Sequence, residues 1–574
     1  MALARTHSIA LVGVEGHPVE IEADIENGLV ALLLVGLPDT ALREARDRIR
    51  SAIINSGEQW PMRRITVGLS PASLPKRGSG FDLGLAVAIL SAAGVIRPER
   101  LDGIVFLGEL GLDGRVRSVP GVLPAAAAAS AVGFARLAVP AENAPEAALV
   151  PQMQVLAVPS LAALLAWLRE EDPDRGPAVQ VLGPGRAAAP GESADTGEPD
   201  GRSSGSQRSR TDPPDGVRGV GQSEPDTPAI SRSQETPAAP RPADSAAALS
   251  QPHLAGPDRD LADVVGQPVA RRAAEICAAG GHHLLLLGPP GVGKTMLAER
   301  IPTIMPRLEP AAALEVSAIH SVAGTLPPGR PLITEPPFCA PHHTATKAAI
   351  VGGGSGIIRP GAASLAHHGC LFLDEAPEFD RDVLDALRQP LEAGELVIAR
   401  SGLTARFPAR FTLILAANPC PCAGAGSGTC TCTPLARRRY LARLSGPLLD
   451  RVDVKVELLP VGRAELLSDR QLTEPSAVVA ARVAEARQRA ARRLGGTKWH
   501  LNAEVPGSEL RRRFRPEPGA LEPLQRAMDL GQISARGVDR IIRLSWTLAD
   551  LAGAARPGAA QISYALGLWL GLGH

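Results

Sequence analysis

Residues 288–295 read Gly288-Pro289-Pro290-Gly291-Val292-Gly293-Lys294-Thr295. They have the form GxxxxGK[ST], in which glycines let backbone N–H groups wrap phosphate oxygens at the start of a helix. The flanks supply what the pattern needs. His283–Leu287 is an apolar run suited to a buried parallel strand, and Met296–Ile301 has a helical pattern. Strand, glycine turn and helix in that order predict a P-loop within an α/β domain, its eight residues cradling ATP. Lys294 is expected against the β- and γ-phosphates and Thr295 on Mg²⁺. The alternative, a plain glycine-rich turn, leaves unexplained why one of only five lysines in the chain stands here.

A second element turns the loop into a site. Cys370–Leu373 is a short apolar strand ending in Asp374-Glu375, about 80 residues after the P-loop. In that arrangement Asp374 reaches the magnesium shell and Glu375 polarises the attacking water. A third apolar strand, Phe411–Ala417, ends in Asn418, which can sit between the other strand ends and help place the water. Its competing reading is a turn residue before Pro419. Two arginines are candidates to complete the site: Arg451 in Ser445-Gly-Pro-Leu-Leu-Asp-Arg451-Val-Asp453, and Arg536 in Ile533-Ser-Ala-Arg536-Gly. A guanidinium beside the γ-phosphate neutralises transition-state charge, and in ring ATPases it often comes from the neighbouring subunit. In so arginine-rich a chain, each taken alone reads more readily as a surface residue.

Outward from the octet the chain divides by texture, and 574 residues leave room for two to four domains. Residues 1–172 alternate short apolar runs, glycine turns and alanine-rich helical stretches. Leu29–Gly36 and Ile65–Leu69 read as buried strands. Asp39–Ser56 and Leu83–Gly94 read as helices, the first with Arg43, Arg46 and Arg50 opposite Leu42, Ala45 and Ile49. Residues 173–257 are dominated by Gly, Pro, Ser, Asp and Arg with isolated aliphatics, too little apolar surface to offset chain entropy, and are expected to be a disordered linker. The P-loop α/β core spans 258–460, and a helical, arginine-rich segment, 461–574, closes the chain.

Bulk composition narrows the functions. The 60 basic and 60 acidic side chains cancel, so any nucleic-acid contact has to come from a local patch or a pore rather than a global field. Aromatics at 3% argue against a base-stacking platform. No apolar run reaches the roughly 18 residues needed to cross a bilayer, and no signal peptide is evident, so no membrane association and a cytoplasmic location are expected. Seven cysteines, four of them in one short stretch, fit a reducing compartment.

Taken together these residues resemble the magnesium-chelatase-like branch of AAA+ ATPases, and within it the YifB/ComM family. The likeness covers nearly all but the linker, through Asp263-Val-Val-Gly-Gln267, the P-loop, Ala340-Pro-His-His-Thr344, Val351-Gly-Gly-Gly354, Ala366-His-His-Gly-Cys-Leu-Phe-Leu-Asp-Glu375, Ala417-Asn-Pro-Cys-Pro-Cys422, Ser445–Asp453 and Ser534-Ala-Arg-Gly537. The resemblance implies a parallel sheet flanked by helices with a helical lid. It gives Asn418 the role of sensor 1, Arg451 that of arginine finger and Arg536 that of sensor 2. Gly394–Ala409 would be a hairpin pointing into a ring channel. Arg400, Arg406 and Lys347 would then be DNA-backbone contacts, or simply solvated surface charge. Relatives nearest ComM are implied to be hexameric helicases that act on single-stranded or branched DNA when transformed DNA is integrated.

The first domain resembles the Lon-protease-like fold through Pro75-Lys-Arg-Gly-Ser-Gly-Phe-Asp-Leu83 and Gly108-Glu-Leu-Gly-Leu-Asp-Gly-Arg-Val-Arg117. Proteolysis there needs a serine activated by a lysine. The nucleophile position falls on Gly80, one residue past Ser79, and no lysine lies between Gly121 and Phe134. A non-catalytic relative is expected. Ala362, the last helix at Gln561–Leu570 and the length of the linker depart from the family pattern without touching the ATP chemistry.

Cys420-Pro-Cys422 and Cys430-Thr-Cys432 flank a small-residue loop. Four thiolates so placed could hold Zn²⁺ tetrahedrally or form a reduced, metal-free loop, and CxC is tighter than the usual CxxC. Cys277, Cys339 and Cys370 read as core residues. The leading functional expectation is a ring-forming DNA motor. A magnesium-insertion ATPase for a tetrapyrrole, or an AAA+ protein that remodels other proteins, would use the same ATP site.

Overall fold

The computed structural model describes residues 2–35, 39–74, 76, 78–170, 178–183, 259–327, 329–354, 358–400, 403–422, 430–462 and 473–571. The expected linker falls outside these apart from 178–183. There, Gln180–Leu182 adds an antiparallel edge strand to Gln154–Val158, so the first sheet runs past residue 172.

That sheet has eight strands, in the order Gln180–Leu182, Gln154–Val158, Arg136–Pro140, Ile104–Phe106, Ala2–Val12, Glu15–Glu26, Arg64–Ser70 and Ala31–Val35. Along Glu15–Glu26 the residues Val19, Ile21, Ala23 and Ile25 are buried and those between them partly exposed, the period of a strand with one covered face. The cover is the helix Asp82–Ala92, buried at every residue. The helix Asp39–Asn55 turns Ala45 and Ile49 inward and leaves Arg46 and Arg50 exposed; the side chains of Leu42 and Arg43 lie outside the described residues.

One expected strand differs in its surroundings. The run Leu29–Gly36 forms a strand at Ala31–Val35, but on the edge of the sheet, paired among the described residues only with Arg64–Ser70. Leu33 and Val35 are about half exposed and Leu29 is 92% exposed. An apolar run reports strand propensity, and burial then depends on whether another layer covers it.

In the second domain five parallel strands run in the order Phe338–Cys339, Cys370–Leu373, Thr412–Ala417, Leu284–Leu287 and Val454–Glu457. The strands Cys370–Leu373 and Thr412–Ala417 are buried throughout, as parallel strands covered on both faces must be. Register aligns their ends: Leu373 pairs with Leu415, and Leu287 with Ala417. Asp374, Asn418 and Gly288 therefore leave the sheet at the same carboxyl edge, where open α/β sheets bind ligands. The helices Ser476–Leu494, Ala535–Ala552 and Ala559–Leu570 close the fold and share one apolar core with the sheet, through Val479, Val483, Ile541, Leu544 and Ile562. Gln561, a departure from the family pattern, accepts the Gly558 N–H at 3.1 Å and so caps the last helix.

The two domains meet along the helix Pro310–Ala323. Ser321 donates to the buried Glu146 carboxylate at 2.6 Å, and its carbonyl accepts the Gly121 N–H. The turn at Gly13–Val14 also packs on a two-stranded hairpin of the second domain, Glu395–Arg400 and Leu403–Pro408, with Leu11, Val12 and Val14 gathered around Val322, Ala405 and Phe407. Gly13 has φ +69°, and a Cβ there would stand 2.7 Å from the Arg406 carbonyl oxygen. Both the turn and the close approach require glycine.

Candidate functional site

Leu287 ends its strand and the chain turns through Gly291 and Gly293, both at positive φ, before the helix Lys294–Ile304. Pro289, Pro290 and Val292 fill out the loop. The Lys294 ammonium is bonded on three sides: to the Gly288 carbonyl at 2.7 Å, the Pro289 carbonyl at 2.9 Å and Asn418 Oδ1 at 3.0 Å. Burial pulls its pKa down, opposed by the nearby Asp374 and Glu375 carboxylates. Thr295 donates its hydroxyl to Asp374 Oδ2 at 2.7 Å, and Asp374 Oδ1 accepts the Glu375 N–H at 2.9 Å. Asn418 thus joins the P-loop across 124 residues of sequence.

The paired hydroxyl and carboxylate oxygens suit a hard, oxygen-seeking divalent cation such as Mg²⁺. Beside them opens a cleft of about 290 Å³ lined by Thr295, Glu299, His342, His343, Asp374 and Glu375 among others. Glu375 holds a left-handed backbone, φ 50°. Such strain collects at functional positions. Its carboxylate lies 3.2 Å from His343 Nδ1. His343 stands in the family-like stretch Ala340–Thr344, but its place beside Glu375 shows only in the fold.

Arg451 stands elsewhere. It precedes Val454–Glu457, and Val454 pairs level with Leu284 at the start of the P-loop strand. Arg451 is therefore at the amino edge of the sheet, while the P-loop leaves the carboxyl edge. Its side chain contacts Glu392 and the Pro447 carbonyl. Burial first, and then the nearby guanidinium groups of Arg540, Arg388 and Arg536, lower its pKa. The Nε atoms of Arg451 and Arg388 are buried without a hydrogen-bond partner among the described residues. Arg536, exposed on the first turn of Ala535–Ala552, shares these surroundings. The expected ATP-site groups thus fall into two clusters: Lys294, Thr295, Asp374, Glu375 and Asn418 at one edge, Arg451 and Arg536 at the other.

The sulfurs of Cys420, Cys422, Cys430 and Cys432 lie within 4.8 Å of one another. Cys420 is 3.4 Å from Cys422 and 3.5 Å from Cys430, near the edge of about 3.8 Å that bonds of about 2.3 Å give a tetrahedral thiolate site. A backbone N–H from Cys432 lowers the Cys430 pKa, and Arg437 approaches its sulfur at 3.2 Å. The intervening residues 423–429 lie outside the described set. Cys277, Cys339 and Cys370 are fully buried, their thiol pKa values raised by burial.

A second cluster, Glu315 with His367 and His368, is less suited to a metal. His367 Nδ1 accepts the Arg410 N–H at 2.9 Å, which leaves the proton of the neutral ring on Nε2, the atom facing Glu315 at 3.1 Å. That nitrogen carries the proton and has no lone pair to offer a cation. In the first domain Lys76 bonds to the Pro71 and Leu74 carbonyls, and Ser79 to Glu109. No serine–lysine pair forms there among the described residues.

No described helix is long and apolar enough to cross a membrane. Three family models match the chain: magnesium chelatase subunit ChlI over residues 260–466, the ChlI subunit of Mg-chelatase over 21–143, and the ChlI C-terminal region over 473–568. An uncharacterised protein of Mycobacterium tuberculosis is 48% identical, with 99% of this chain and 98% of that protein aligned. The competence protein ComM of Haemophilus influenzae is 36% identical over 99% of this chain and 97% of its own length. The YifB protein of Escherichia coli is 36% identical over 96% and 94%.

Proposed function

The chain belongs to the YifB/ComM family of magnesium-chelatase-like AAA+ ATPases, and from that premise we propose that it is a ring-forming, ATP-driven DNA motor that promotes branch migration. The observation that carries the ATPase half is the convergence of Lys294, Thr295, Asp374 and Asn418 at one sheet edge. Lys294 and the P-loop amides bind the triphosphate, Thr295 and Asp374 hold the magnesium that neutralises it, and Glu375 orients the attacking water. Arg451, at the opposite sheet edge, then acts on the nucleotide of a neighbouring copy, and a closed ring, a hexamer in this reading, satisfies that geometry for every subunit.

The DNA half rests on alignment with a competence protein along nearly its whole length. It rests also on the hairpin of Glu395–Arg400 and Leu403–Pro408, whose strands carry Arg400 and Arg406. Arg406 is paired with Glu395 at 3.1 Å and more than half exposed. Recombination and the integration of transformed DNA are the processes such a motor serves. ATP turnover should rise several-fold on adding single-stranded or forked DNA at low salt, and a four-way junction should be branch-migrated into uncut duplexes only with ATP. An unchanged rate would point instead to tetrapyrrole metallation or to remodelling of a protein. The family models carry the chelatase name over the first domain as well as the core, so that domain does not separate the readings and the assay must.

The four clustered thiolates hold one Zn²⁺ in this reading. Metal analysis of purified protein should find close to one zinc per chain, lost when Cys430 and Cys432 are both changed to serine. Zinc-free wild-type protein would leave a bare thiol loop.

A further inference from the structure

Behind Arg451 runs a buried polar chain that none of the ATP chemistry above uses. Arg540 donates through one nitrogen to the Arg451 carbonyl at 3.0 Å and to Asp453 Oδ1 at 2.6 Å. The other Asp453 oxygen lies 3.0 Å from His282 Nδ1, and His282 Nε2 lies 2.8 Å from the Thr547 hydroxyl. Asn502 donates to Thr547 at 3.0 Å and to Asp550 at 2.8 Å, and Arg493 grips Asp550 and Asn502 beyond. His282, Asp453, Asn502, Thr547 and Asp550 are at most 3% exposed.

Three parts of the fold are tied by this chain. His282 sits just ahead of the P-loop strand, Asp453 just ahead of the strand after Arg451, and Arg540, Thr547 and Asp550 all lie on the helix Ala535–Ala552 that also carries Arg536. Packing around it leaves little slack: a Cβ on Gly280 would come within 2.3 Å of Thr547 Oγ1 and 2.4 Å of the His282 ring. Burying so many polar groups is costly unless each is satisfied, and an apolar core would serve stability as well. Here the chain ends on the backbone of Arg451 itself.

We propose that Arg540 and Asp453, tied through His282 to Thr547 of the lid, are positioning residues that fix the Arg451 backbone and so aim its guanidinium at the neighbouring subunit's nucleotide. The proposal rests on the reading of Arg451 as the residue that acts on that nucleotide. Misplacing a catalytic group by about 1 Å can cost roughly 100-fold, so loss of the tether should appear in kcat and leave KM alone.

The test uses the full-length protein with saturating ATP and magnesium. Thr547→Val keeps the shape and removes the hydroxyl; Arg540→Lys keeps a charge but shortens the reach of the one nitrogen that makes both bonds. Each should lower kcat roughly 10-fold or more with KM for ATP within about two-fold. Thr547→Ser should restore turnover, and mixing either variant with Glu375→Gln subunits, whose Arg451 is sound, should give more activity than the two show separately. Should Arg540→Lys fail to fold, Thr547→Val against Thr547→Ser still decides. If both variants keep kcat within about two-fold while Arg451→Ala stalls turnover, the tether is only structural and the proposal is overturned. If Arg451→Ala turns over normally, the reading beneath it fails and takes the proposal with it.

Discussion

At the carboxyl edge of the five-stranded sheet each polar head finds its partner in the same chain: Lys294 on Asn418, Thr295 on Asp374, Glu375 beside His343. At the amino edge Arg451 keeps a buried Nε without such a partner among the described residues and has three other guanidinium groups for neighbours. The first arrangement has its polar groups satisfied within one subunit. The second is a cluster of four arginines in which Arg451 meets Glu392 and the Pro447 carbonyl, and which an anion brought by another copy would complement in the proposed ring. The same sheet carries both because parallel strands gather loops of opposite kind at their two ends.

Breaking the carboxyl edge should have the largest effect. Lys294→Ala removes the cation from the triphosphate cradle, and nucleotide affinity and turnover should both fall by roughly 1,000-fold or more; a normal titration would end the motor reading. Glu375→Gln should keep nucleotide binding and lower kcat by roughly 100-fold or more. Arg451→Ala should cost a similar factor in kcat with binding intact. The sharper comparison comes from mixing Arg451→Ala with Glu375→Gln subunits. Turnover should reappear in the mixture, because one supplies the good carboxyl edge and the other the good amino edge. A mixture as dead as its parts would mean that both edges serve a single subunit.

The smallest effect concerns the body of the fold between the edges. Burial holds His320 and His283 at a pKa of about 4, well under the ordinary 6.5. His283 accepts the Leu413 N–H at 3.0 Å, which places its ring neutral; at His320 burial outweighs the bond that Nε2–H gives the Leu365 carbonyl at 3.0 Å. Between these values the unfolded chain binds protons that the folded chain refuses. The stability they contribute is present above about pH 6.5 and lost as pH falls toward 4. Melting temperature should drop across that window, and His320→Gln should flatten part of the slope. A wild-type profile level from about pH 7 to about 4.5 would contradict the neutral assignment.

Residues joined by short sequence separation, or by the ends of apolar strands, were legible in the sequence. The octet at Gly288–Thr295 and the pair Asp374-Glu375 announce themselves because phosphate cradling and metal binding demand a fixed local pattern. The clustering of Cys420, Cys422, Cys430 and Cys432 was equally visible. The pairing of His343, in the stretch Ala340–Thr344, with Glu375 was not, because 32 residues separate them and only the fold brings them together. The chain from Arg540 to Thr547 was hidden for the same reason, its His282–Thr547 link spanning 265 residues. The exposed edge at Ala31–Val35 shows the converse failure: local composition specified a strand and carried no word about its neighbours.

The glycine turn that rests on the basic hairpin bears on how this protein can be handled. Leu11, Val12 and Val14 roof over Phe407, Ala405 and Val322, so a fragment begun at residue 259 to isolate the ATPase would strip that roof and present a greasy floor to water. Such a truncation should come out sticky for reasons unrelated to its catalysis. Polar replacements at Val322 and Ala405, rather than a change of tag or buffer, are the remedy its surface calls for.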